Sequence, residues 1–150
     1  MKTLAELLTD FWIWTTLPEE KWRSVDFVKY GIEAVNYPKL GEICQSAIEL
    51  VNAPLSSNQI DDFLTAMAID AEDEDILNAC QTDAEASFIY TIVSRGIAHP
   101  QSETRWQMAE LLRREMPQRD AFLQQLMADP DEYVRKRTRH VIQDLRQSEQ

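Results

Sequence analysis

HPQSETRWQMAELLRR (residues 99–114) and DPDEYVRKRTRHVIQDL (residues 129–145) are the two stretches that decide the fold. The first carries His99-Pro100, Thr104-Arg105, Ala109, Leu111 and Leu112. Thirty residues later the second carries Asp129-Pro130, Val134-Arg135, Val141 and Ile142. Self-similarity at a fixed period of this size marks stacked repeats, each a small helical unit that buries its apolar face only against its neighbours. In the second copy Asp129 is placed to cap a helix, Pro130 suits the first helical position, and Glu132 stands where a capping-box carboxylate belongs. Val134, Thr138, Val141, Ile142 and Leu145 then recur at helical spacing. The helix expected before it, over 117–128, offers Phe122, Leu123, Leu126 and Met127 on one face.

The run Asp129-Pro130-Asp131-Glu132-Tyr133-Val134-Arg135 resembles the start of the second helix of a HEAT repeat in its bacterial form. The copy from His99 is similar but degraded, with His in place of the capping Asp and Thr104 in place of the Val. The resemblance covers residues 83–146 and hardly touches the first half. It implies an all-α, right-handed solenoid of HEAT-like helix pairs. It does not imply one activity, because HEAT solenoids serve as scaffolds, inhibitors, adaptors and, in one branch, DNA-repair glycosylases. Arg105 and Arg135 occupy equivalent positions. They are read either as a ladder to carbonyls and acids of adjacent repeats or as contacts to an anion or partner.

A chain of 150 residues is one domain's worth and buries about 70% of its unfolded surface, enough for an unaided core. Apolar residues make up 44% of it, so it is globular rather than disordered, and three glycines leave little room for sheet turns or phosphate loops. Glu6 and Asp10 interrupt the N-terminal apolar run, which excludes a secretory signal, and no stretch is apolar enough for a transmembrane span. Cys44 and Cys80 lack paired spacing and read as buried reduced thiols. A cytoplasmic protein is expected.

The formal charge is −11. Residues 1–82 hold 15 acids and 5 bases, whereas residues 83–150 hold 11 and 10. An acidic body of this kind repels nucleic acid and attracts basic partners.

Along the chain the pattern predicts about nine helices. The first, over 3–14, ends in Phe11-Trp12-Ile13-Trp14. Trp12, Trp14 and Trp22 together read as an aromatic cap sealing the solenoid or as an exposed hot spot. The second, over 18–35, would turn Trp22, Val25, Val28, Ile32 and Val35 inward. The third covers 38–52. The fourth opens on the capping pair Ser56 and Gln59 and runs to 70. Asp70-Ala71-Glu72-Asp73-Glu74-Asp75 follows, five acids in six residues. It reads as a solvated helix start, as a docking surface for a basic protein, or as a calcium loop. The calcium reading fails the EF-hand pattern at the sixth position, Asp75, and the twelfth, Gln81. A short fifth helix carries Ile76, Leu77 and Cys80. Thr82 and Glu85 should cap the sixth, over 83–95, with Gly96 as its stop.

No nucleophile–base pair, metal-ligand pair or phosphate loop stands out, and His99 and His140 have no helpful neighbours, so no catalytic residue, metal or cofactor is assigned. The expectation is a single non-catalytic, protein-binding domain. More specifically it is a small acidic bacterial inhibitor, or immunity protein, against a basic protein of the nuclease-toxin kind. The residues assigned to that partner are Asp61, Asp62, Asp70, Glu72, Asp73, Glu74 and Asp75, with Trp12 or Trp14 as anchors. Two alternatives stand beside it. One is a nucleic-acid-binding or repair protein using Arg113, Arg114, Arg135, Arg137 and Arg139. The other is an assembly scaffold or adaptor.

Overall fold

Thr3, Ser56 and Asp131 each accept a backbone N–H from the first turn of the helix that follows, so three helix starts are written by local chemistry. The computed structural model describes residues 1–149. Among these residues there are eight α-helices and no strand. They are α1 (Leu4–Thr15), α2 (Leu40–Ile48), α3 (Ser57–Ile69), α4 (Asp75–Asp83), α5 (Ala86–Gly96), α6 (Ser102–Leu111), α7 (Arg119–Met127) and α8 (Glu132–Ser148). None is long and apolar enough to cross a membrane.

Of the nine helices expected, the second, over 18–35, does not form. That stretch holds only the single 3₁₀ turns Glu19–Lys21 and Ala34–Asn36. Arg23 and Gly31 take positive φ angles, which break any helix through them. Long-range contacts override the periodicity. Phe27 inserts against Phe11 and Trp12, and the buried Gln101 side chain donates to the Val25 carbonyl. Trp22 stacks on Trp12 with its ring 14° from parallel, and its indole N–H donates to the Leu17 carbonyl. Val28 and Val35, expected inside, are exposed.

α6 is the central helix and touches α3, α4, α5, α7 and α8. Being enclosed, it needs its polar side chains satisfied. The Thr104 hydroxyl donates to the Leu64 carbonyl at 2.7 Å, and the Gln107 amide donates to the Met67 carbonyl at 2.8 Å. Gly96 does not stop α5 by a left-handed turn. It lets α5 pack closely on its neighbours, because a Cβ there would meet the Met108 sulfur and lie 2.9 Å from Leu64 Cδ2.

The two copies of the repeat share two hydrogen bonds. The Gln101 N–H donates to His99 Nδ1 at 3.1 Å, and the Asp131 N–H donates to Asp129 Oδ1 at 2.9 Å. Arg105 donates to the His99 carbonyl at 2.8 Å, and Arg135 donates to the Asp129 carbonyl at 2.6 Å. Arg105 also grips the Asp129 carboxylate with two nitrogens, at 2.8 and 3.2 Å, which links the copies. Arg105 thus follows the ladder reading, whereas the Arg135 bond stays within its own copy.

Two expected caps are corrected. Asp129 is held by Arg105 and by its own turn, so the cap of α8 passes to Asp131, which accepts the Val134 N–H at 3.0 Å. Thr82 lies inside α4 and donates to the Asn78 carbonyl, while Glu85 precedes α5 without a side-chain cap. Asn52 supplies the missing chemistry from afar. It accepts the Glu85 N–H at 2.7 Å and donates to the Asp83 carbonyl at 2.9 Å, bracing the α4–α5 corner.

Candidate functional site

The irregular segment 25–35 is anchored inward by Val25 and Phe27, and this leaves Val28 facing outward beside it with 83% of its surface exposed. Across from it lie the end of α3, the acidic turn after α3, and one face of α6 and α8. Between these walls runs a groove of about 660 Å³. Its apolar lining includes Val28, Val35, Trp106 and Tyr133, and its acids are Glu33, Glu72, Glu74 and Glu103. Glu103 and Tyr133 are equivalent positions of the two repeat copies, so the repeat itself presents both to the groove.

One cation, Arg137, enters the lining. It is already committed. Its guanidinium carbon lies 4.2 Å from the Trp106 ring centre, and it donates to Glu110 at 2.8 Å and to the Tyr133 hydroxyl at 2.8 Å. Glu110 also accepts from Arg113 at 2.9 Å. Burial pushes the Glu110 carboxyl up, and the Arg113 and Arg137 hydrogen bonds outweigh that push, so it sits below its ordinary range. With Arg137 neutralised from behind, the four groove carboxylates dominate the local field. Burial raises the Glu103 carboxyl, with a weaker opposing pull from the Ser102 hydroxyl.

The residues assigned to a partner divide between several places. Glu72 and Glu74 line the groove, and Asp73 is exposed on the same turn. Asp75 is exposed at the first position of α4. Asp70 is buried at 1% exposure and accepts the Ile76 N–H at 2.8 Å, so it works inside the fold rather than on a docking surface. Asp61 and Asp62 lie near the opposite end of α3 from the acidic turn. Asp61 is held by Arg95 through two contacts, at 2.7 and 3.0 Å, and that hydrogen bonding lowers its carboxyl. Asp62 is 3.9 Å from Arg23 and mostly covered, and burial raises its carboxyl. Trp12 is 3% exposed and belongs to the core, so it cannot serve as a surface anchor. Trp14 is 39% exposed, packs on Phe11 and Tyr37, and stands apart from the groove.

The arginines assigned to nucleic acid are largely spent within the fold. Arg113 bonds Glu110 and Asp144, Arg114 donates to the Ala84 carbonyl, and Arg135 donates to the Asp129 carbonyl. Arg137 is committed as described. Arg139 is exposed on α8. His99 is buried between Thr65 and Gln101, and His140 is exposed on α8.

The residues missed from the sequence are Val28, Glu33, Val35, Glu103, Trp106 and Tyr133. For the segment 25–35 no local signal points outward, because its apolar spacing imitates a buried helical stripe. Glu103 and Tyr133 carried one usable signal, their matching places in the repeat. Comparison with protein-family models, with curated proteins and with solved structures finds no match.

Proposed function

We propose that the chain is an α-solenoid of HEAT-like pairs with a diverged aromatic N-terminal cap, and that it acts as a non-catalytic module docking a basic protein. The duplicated turn and arginine contacts at His99 and Asp129 support the solenoid reading. The observation that carries the docking reading is the groove itself. It combines exposed apolar anchors, Val28 and Tyr133, with four carboxylates, and Arg137, the one cation among the described residues of the lining, is already paired. A lysine- or arginine-bearing surface with an apolar tip has the complementary chemistry. An inhibitor of the immunity-protein kind, filling the basic substrate cleft of a nuclease-type toxin, uses such chemistry for fast association.

Reversing Glu33 and Glu72 to lysine tests this reading. Both side chains are exposed and belong to separate segments, so the fold should survive. The double variant should associate with the basic partner about tenfold more slowly at low salt, with a shallower dependence on ionic strength. Stopped-flow or surface-based kinetics would read this directly. Unchanged association rates would remove the groove from the interface.

A further inference from the structure

Cys44 on α2, Asp70 at the end of α3 and Asp75 at the start of α4 come from three helices, yet their ligand atoms lie within 4.8 Å of one another. We propose that Cys44, Asp70 and Asp75 form a binding site for a thiophilic divalent cation, with zinc the best match.

Proximity alone would not carry this. The decisive group is Asp70. One of its oxygens, Oδ2, accepts the Ile76 N–H, and the other, Oδ1, is buried with no hydrogen-bond partner. A carboxyl oxygen without a well-formed partner in the interior is costly, and proteins resolve it with a proton, a donor such as the adjacent Cys44 thiol, or a cation. The thiol and the second carboxylate beside it complete a donor set.

The chemistry of the three donors selects the ion. Zinc accepts one thiolate and two carboxylate oxygens, at about 2.3 Å and about 2.0–2.2 Å. Around a tetrahedral zinc two such ligand atoms stand about 3.5 Å apart, so the cluster would close inward by up to about 1 Å to hold the ion. Calcium and magnesium prefer all-oxygen cages and have little use for the sulfur. On binding, the Cys44 S–H bond breaks, its proton passes to solvent, and the thiolate sulfur bonds the metal with no change of oxidation state. A fourth position stays open to water, because Asp75 is exposed. The ion would clamp the α3–α4 corner onto α2 whether or not a partner docks on the groove.

The test uses the full chain, stripped with a chelator and then titrated with zinc chloride against a competing chromophoric chelator. One equivalent should bind, and the melting temperature should rise with free zinc. Cobalt should produce a sulfur-to-metal charge-transfer band. Cys44→Ser and Asp75→Asn should each weaken zinc binding by about 100-fold, and Cys44→Ser should abolish the cobalt band. Asp75 is exposed, so its variant keeps the test valid if the Cys44 variant folds poorly. Asp73→Asn on the same turn should change little, and calcium should not compete. The proposal fails if no equivalent of zinc binds. It fails equally if both ligand variants bind zinc as the parent does, or if Asp73→Asn removes the binding while Cys44→Ser spares it.

Discussion

Acidifying the protein from pH 6.5 to pH 4 should cost it about 3 kcal/mol through His99 alone. The imidazole is 7% exposed, and burial pushes it from 6.5 down to about 4, aided by the nearby Arg105 charge. Its hydrogen bonds explain why it stays neutral. Nδ1 accepts the Gln101 N–H, so Nε2 carries the proton and faces the Thr65 hydroxyl at 3.3 Å. Protonating Nδ1 would set two donors against each other. The sign follows from proton counting. Between pH 6.5 and about 4 the unfolded chain binds the proton and the folded chain does not, so stability falls as pH falls. Above 6.5 the contribution is fully present, and below about 4 the loss levels off. His99→Asn retains a side-chain acceptor for the Gln101 N–H, as Asp129 does for Asp131 in the other copy, and removes the titration. Urea unfolding at pH 7 and pH 4 should therefore show a loss about 3 kcal/mol larger in the parent than in His99→Asn. The buried carboxyls Asp62, Asp70 and Glu103, which are raised and act in the opposite direction, cancel in this comparison. Equal losses in the two proteins would show that His99 is not the group responsible.

Asp129→Ala should be the other severe change, at about 3–5 kcal/mol. The side chains of Arg105 and Asp129 are 14% and 6% exposed, so water cannot replace the lost partner easily. The substitution strands the Arg105 guanidinium on the His99 and Pro100 carbonyls and also leaves the Asp131 N–H without its acceptor. Most of the cost belongs to the stranded charge. Arg105→Met combined with Asp129→Ala should therefore be clearly less destabilised than the two single losses added together. Chemical denaturation of the four proteins gives the coupling directly. Simple additivity would mean that the Arg105–Asp129 pair does not join the two copies energetically.

Local signals in the sequence foretold local structure. The Ser56–Gln59 capping box stands where it was read, and the stripes of α1, α2 and α3 are buried largely as spaced. The failures came from partners distant in sequence. The segment 25–35 has helical apolar spacing, but Phe27 is claimed by Phe11 and Trp12, and Val25 by Gln101. Asp129 carries every mark of a helix cap, but Arg105 claims it. Thr104 looked like a decayed Val until its hydroxyl met the Leu64 carbonyl. The candidate site shows the same division. Glu72 and Glu74 were legible as acids on a turn. Only the fold separates them from buried Asp70, and only the irregular course of 25–35 brings Val28 and Glu33 across from them.

The central claim is that an acidic groove docks a basic protein. Affinity capture with the immobilised chain, from cells carrying its neighbouring genes and eluted by rising salt, tests it most directly. A column bearing the Glu33→Lys and Glu72→Lys variant should run beside it. A basic protein that leaves the parent column as salt rises, and that the variant column does not retain, is the expected result. Nucleic acid in the eluate, or the same protein retained equally by both columns, would contradict the docking of a basic protein at this groove.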